Sequence, residues 1–201
     1  MTVGGTAAYE GRPEVPELVM RAVALARQLN FEFSCRPEQG RLLQLLAAGR
    51  RGGSIGETGS GCGVGIAWLL SGGGDETSIV SVERDTRCAE QAARLFGAYP
   101  NVTIINEDWS AILDHGPFDL LILDGGGTGK TTADVAIDPN LALKPFGTVV
   151  IDDFTPLASW PPRHEGKPDA ARLHWLEHPA LLATEVVVCA GMSTILATRR
   201  S

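Results

Sequence analysis

The sequence predicts an open α/β sheet with helices on both faces and an antiparallel strand pair at its C-terminal end. Between Ser54 and Asp153, five short apolar runs alternate with segments of helical spacing, the signature of parallel strands joined by crossover helices. Two of these runs, FDLLILD (118–124) and GTVVIDD (147–153), are apolar almost throughout, as strands buried on both faces must be. TEVVVCA and STILATRR are strand-like and separated by little more than Gly191. That spacing makes a hairpin, so the last strand runs antiparallel to its neighbour.

The elements follow in order. Residues 1–15 read as a loose N-terminal arm, and 16–50 as two helices with prolines in the favoured first turn, PELVMRAVALARQLN and PEQGRLLQLLAAGR. The α/β core fills 51–201, and the whole chain forms a single domain. Its strands are SIGE, SIVSVE, VTIIN, FDLLILD and GTVVIDD. Its helices are GVGIAWLLS, DTRCAEQAARLFGAY, a short one around SAILDH and a weaker one over TTADVAIDPNLALK. FTPLASWPPRHEGKPD is a proline-rich loop, and AARLHWLEHP a final helix. In such a sheet the ligand site lies at the carboxyl ends of the strands.

The 201 residues carry a formal charge of −7, which argues against nucleic acid as a partner, since its binders present a basic face. No apolar stretch reaches the roughly 20 residues of a membrane span, and the acidic N-terminus lacks the apolar core of a secretion signal. Cys35, Cys62, Cys88 and Cys189 are scattered without metal or redox spacing. They read as small buried hydrophobes of a reducing, cytoplasmic protein.

One glycine cluster invites a wrong reading. DGGGTGKTT (124–132) looks like the phosphate cradle G-x-x-x-x-G-K-[ST], but its first position is Asp124. A carboxylate there repels phosphate, and only about 70 residues follow. The informative cluster is IGETGSGCG (55–63), directly after the first strand. Glu57, Gly59, Ser60, Gly61 and Gly63 make a turn whose backbone can touch a ligand, and the following helix offers free N–H groups. Roughly 20 residues on, Glu83 ends the second strand, where an acid receives both ribose hydroxyls of an adenosine; Arg84 follows it at the same site. The carboxylate of Glu57 suits a ligand with a cationic amino-acid end better than a pyrophosphate, which favours S-adenosylmethionine over NAD. After the third strand, Asp108 is placed to accept from the adenine amino group and Trp109 to pack on the ring. Asp108 is equally a helix N-cap, and the two roles are compatible.

With SCRPEQG, IGETGSGCG, SVERD, NEDW, PFDLLILDGG and LKPFGTVVIDD in place, the chain resembles the class I S-adenosylmethionine-dependent methyltransferases, above all the small catechol- and caffeoyl-CoA-type O-methyltransferases and their bacterial relatives. The resemblance implies a Rossmann-like, seven-stranded, mostly parallel sheet with an antiparallel seventh strand, a small-molecule acceptor and a homodimer. It also implies that Ser34 and the following turn cover the methionine end.

Asp124, Asp152 and Asp153 converge at adjacent strand ends as a hard oxygen site for Mg²⁺; the resemblance assigns a metal there, although its third ligand is usually asparagine. The alternative has Asp124 meet the methionine ammonium with no metal bound. The base is also open. Metal-dependent relatives often carry lysine three residues after the first aspartate, where this chain has Gly127. Lys130 and His164 are the substitutes, against readings as a surface lysine and a loop histidine. Trp160, with Pro156, Pro161 and Pro162, either walls the acceptor or pins its own loop. Asp124 lies between donor and acceptor. Two rival functions remain: an NAD(P)-linked oxidoreductase, and a non-catalytic S-adenosylmethionine-binding protein.

Overall fold

A computed structural model describes residues 4–12 and 14–201. Seven strands form one sheet: β1 (Ser54–Thr58), β2 (Ser78–Val82), β3 (Val102–Ile105), β4 (Phe118–Leu123), β5 (Leu143–Phe154), β6 (Leu181–Cys189) and β7 (Met192–Arg199). Their order is β3-β2-β1-β4-β5-β7-β6. The first five are parallel, and β7 lies antiparallel between β5 and β6. The expected architecture is therefore present, and the sheet reverses direction of growth between β1 and β4.

β4 shows why its run is apolar throughout. Leu120 and Ile122 enter the core on one face, with Val19, Leu43 and Trp68. Leu121 and Leu123 enter the other, with Ile112 and Trp175. Helices α1 (Glu17–Gln28), α2 (Pro37–Ala48) and α3 (Val64–Gly73) supply the first face. The second is covered by a 3-10 helix, Trp109–His115, and by α6 (Ala170–Glu177). α4 (Thr86–Leu95) follows Asp85, whose side chain caps it by accepting from Cys88 N, and ends before Phe96, short of the expected segment. No helix among the described residues is long and apolar enough to cross a membrane.

Three expectations need correction. The N-terminal arm is not loose where it is described. Gly5–Tyr9 is a 3-10 helix, and the Tyr9 ring is buried. Its hydroxyl donates to the Cys35 carbonyl at 2.8 Å and accepts from Trp68 Nε1 at 2.9 Å. Residues 1–3 and 13 lie outside the described residues. The helix expected over 131–144 shrinks to α5 (Pro139–Ala142), because Asp134 turns back to accept hydrogen bonds from the preceding loop. A side chain that bonds nearby backbone competes with the helix. Lastly, the proline-rich loop contains a small hairpin pairing Arg163 with Pro168 and His164 with Lys167.

The most consequential irregularity is in β5. Its pairing with β7 shifts between Ile151↔Ile195 and Phe154↔Ser193, so Asp152 and Asp153 together face Thr194. Asp153 adopts a left-handed backbone, φ 59°. Such a bulge bends a strand and re-aims its side chains. Consecutive residues of a regular strand point to opposite faces; here both carboxylates reach one cluster.

Candidate active site

The site is assembled where β1 and β4 diverge, the switch point at which open α/β sheets bind ligands. β1 carries Glu57 into the interior. It faces Ser81 of β2 in register, and Ser81 Oγ donates to Glu57 Oε2 at 2.6 Å. Ser60 and Ser81 share a 2.6 Å hydrogen bond, which ties the glycine loop to the strand below. Burial pushes the Glu57 carboxyl up to about 8, with Asp124 and Glu83 adding repulsion and Ser81 opposing them. A buried acid of this kind recovers its charge best when a cation arrives beside it.

Glu83 sits under the loop. Its Oε2 accepts from Gly61 N at 2.7 Å and its Oε1 from Asp85 N at 2.8 Å. Each oxygen keeps a second lone pair, enough for the ribose role, although the side chain is buried. Gly63, with φ 85°, starts α3. Gly59 and Gly125 touch backbone to backbone: a Cβ on Gly59 would lie 2.6 Å from the Gly125 Cα. This contact brings the β1 and β4 loops together, and Thr58 Oγ1 reinforces it by donating to the Gly126 carbonyl at 2.8 Å.

Three spaces open around these loops. A cavity of about 430 Å³ is bordered by Arg84, Asp108, Trp109, Lys130, Asp134 and the acidic cluster. A narrow slot of about 10 Å³ runs between Ser34, Glu57, Gly59, Ser60 and Gly61. Asp124 borders both. Asp108 caps the 3-10 helix, accepting from Ser110 N at 3.1 Å, and also borders the larger cavity. Trp109 lies flat enough against the β4 loop that a Cβ on Gly126 would meet its ring at 2.4 Å. A third cavity, about 260 Å³, meets the cluster only through Asp153.

Ligand atoms of Asp124, Asp152 and Asp153 lie within 4.8 Å of one another. Burial and the neighbouring Asp124 raise the Asp152 carboxyl to about 7, against the lowering effect of Lys130. Lys130 as a residue is exposed, yet its amine turns inward. Nζ donates to the carbonyls of Asp152 and Asp153, the latter at 2.9 Å, and lies 4.2 Å from the centre of the Phe154 ring. Desolvation lowers this amine to about 8, with Asp152 and Asp124 opposing the shift. The surface-lysine reading therefore does not describe it. His164 is different: it is exposed in the small hairpin and borders none of these three spaces. Trp160 is also displaced. It is 58% exposed and borders an outer groove with Leu157, Leu176 and Val187, so of its loop only Phe154 and Thr155 reach the third cavity.

The phosphate-cradle look-alike is a cradle after all, filled from within. The N–H groups of Gly127, Thr128 and Gly129 donate to the Asp134 carboxylate at 2.6, 3.1 and 3.1 Å, joined by the Thr128 hydroxyl. Converging backbone N–H groups bind anions, and here the anion is the chain's own. Asp134 and Ser81 were not singled out from the sequence. Ser81 was within reach of that reading, because it lies two residues before Glu83 along the same extended run, a spacing that shares a face.

The Glu57 environment makes a pH prediction. Between its ordinary value of 4.5 and about 8, the folded chain retains a proton that the unfolded chain has released. Stability therefore falls as pH rises through that window. Denaturant midpoints at about pH 5 and pH 8 should drop more for the wild type than for Glu57→Gln; equal drops would contradict the assignment.

Comparisons with known proteins bear on the fold. Residues 57–154 match the family model described as methyltransferase domain. No curated protein matches the chain. Among solved structures, an O-methyltransferase from Bacillus cereus in complex with SAH superposes with a TM-score of 0.74 at 17% identity, covering 98% of this chain and 96% of that one. Cofactor-bound Rv0187 from MTB gives 0.74 at 21% identity, covering 95% and 93%. TomG from Streptomyces achromogenes, an O-methyltransferase involved in tomaymycin synthesis and in complex with SAM, gives 0.71 at 20% identity, covering 94% and 92%. At these identities the likeness is one of fold.

Proposed function

We propose that this chain, whose residues 57–154 match the methyltransferase-domain model, moves the methyl group of S-adenosylmethionine to a hydroxyl of a small molecule. The observation that carries the proposal is the position of Asp124, the residue common to the nucleoside-sized cavity and the slot beside Glu57. A donor lying through both has its adenine near Asp108 and Trp109, its ribose over Glu83, its ammonium beside Glu57, and its sulfonium at Asp124. The sulfonium methyl is already activated, so the protein contributes chiefly proximity and in-line alignment.

The acidic cluster fits a divalent cation. Its oxygens are hard ligands at close spacing, and the buried Asp152 Oδ1 has no hydrogen-bond partner among the described residues. Asp124, Asp152 and Asp153 would hold Mg²⁺. When bound, such an ion lowers the pKa of a hydroxyl acceptor. Lys130 is the base favoured by the geometry, because its amine borders the cleft and is tuned to about 8, near the range where a general base works best. His164 is not proposed for that role.

The test combines binding and turnover. Calorimetry should detect S-adenosylhomocysteine but not NADH, and labelled methyl should pass to members of a phenol, sugar and hydroxy-acid panel. A chelator should abolish transfer; undiminished turnover would remove the metal from the mechanism. The glycine at 127 favours one competing reading, a binding protein without catalysis, which would show cofactor affinity and no transfer to any acceptor.

A further inference from the structure

The third cavity narrows the acceptor's chemistry. If the donor fills the two spaces joined at Asp124, an acceptor must approach from space that borders the cluster without belonging to the donor. The cavity of about 260 Å³ meets that condition, touching the cluster through Asp153. Phe154 and Met192 give it apolar walls, and Arg36 is the only basic side chain among the described residues lining it.

Arg36 is only loosely paired. Its Nε is buried and makes no hydrogen bond among the described residues. Its ion pair with Glu38 is long, 3.8 Å, and Glu38 is already engaged at 2.6 Å by Arg12. Two guanidinium groups thus share one carboxylate beside a cavity that Arg36 and Asp153 both line. Guanidinium matches a carboxylate in shape and charge.

We propose that the acceptor is a small hydroxylated carboxylic acid, held with its carboxylate on Arg36, its body between Phe154 and Met192, and its hydroxyl at Asp153. This rests on the methyltransferase reading above. It makes Arg36 a specificity-determining residue that acts on the acceptor and not on the donor.

The experiment measures equilibrium binding of protocatechuate and of its primary amide to the full chain loaded with S-adenosylhomocysteine and Mg²⁺. The two probes differ in charge and hardly in shape. The acid should bind about tenfold more tightly than the amide, as expected for one charge-assisted contact. Arg36→Gln should erase that preference, and Arg36→Lys should keep part of it. Both variants should retain wild-type affinity for S-adenosylhomocysteine and wild-type melting temperature, which excludes a folding defect. Equal binding of acid and amide by the wild type, binding of neither, or a preference that survives in Arg36→Gln overturns the proposal while leaving the methyltransferase reading intact. Failure of the wild type to bind S-adenosylhomocysteine overturns that reading, and this proposal with it.

Discussion

Glu83→Ala should lose at least about a hundredfold in affinity for S-adenosylhomocysteine. Two ribose hydroxyls would each lose a hydrogen bond to a charged acceptor, worth about 1.5–3 kcal/mol apiece. The same carboxylate also accepts from Gly61 N and Asp85 N, so the variant loosens the glycine loop as well. Glu83→Gln separates the effects. Its amide oxygen can replace one acceptor and so preserve part of the loop, while the charge is gone. Isothermal calorimetry on both variants, with melting curves to confirm folding, provides the measurement. Affinity within a few-fold of wild type in Glu83→Ala would remove the ribose from this position.

The largest effect on stability should come from Arg172→Ala. Arg172 is 5% exposed and satisfies four groups around it. It pairs with Glu185 at 3.0 Å and Asp169 at 3.1 Å, donates to the Thr155 carbonyl at 2.8 Å, and stacks 5.0 Å from the Phe154 ring centre. Glu185 in turn accepts from Leu157 N and Ser193 Oγ. This network fixes the chain just beyond the bulge, on the side of the proposed acceptor cavity. Removing the guanidinium strands two carboxylates, and breaking a buried pair this way costs about 3–5 kcal/mol. In a chain of this size the melting temperature should fall by on the order of 10 °C. Pairing Arg172→Met with Glu185→Leu should recover part of the loss, because apolar replacement of a whole buried pair is often tolerated. A single variant that melts within about 2 °C of wild type would show the network to be dispensable.

Much of the fold was legible in the sequence. The alternation of runs between Ser54 and Asp153 and the break at Gly191 carry the sheet, its parallel core and its terminal hairpin, because periodicity records which faces are buried. The turn at Gly59, Gly61 and Gly63 was legible for a related reason: the left-handed backbone it adopts tolerates few residue types. The helix expected over 131–144 was misread because a single side chain, Asp134, competes for the backbone of Gly127 to Gly129, and propensity is blind to that. Lys130 and His164 both stood as candidate bases against a surface lysine and a loop histidine, since a sequence does not say where a flexible side chain turns.

The sequence by itself therefore determined the fold, the tight glycine turn after β1 and the supply of three carboxylates near strand ends. Only the tertiary structure decided how those carboxylates meet. Asp152 and Asp153 are neighbours in a strand, and regular pleating would send them to opposite faces. The extra residue that β5 carries against β7, with Asp153 at φ 59°, breaks that alternation and turns both toward Asp124. Pairing with a strand some forty residues farther along creates the bulge, so no local pattern around residue 152 could have announced it.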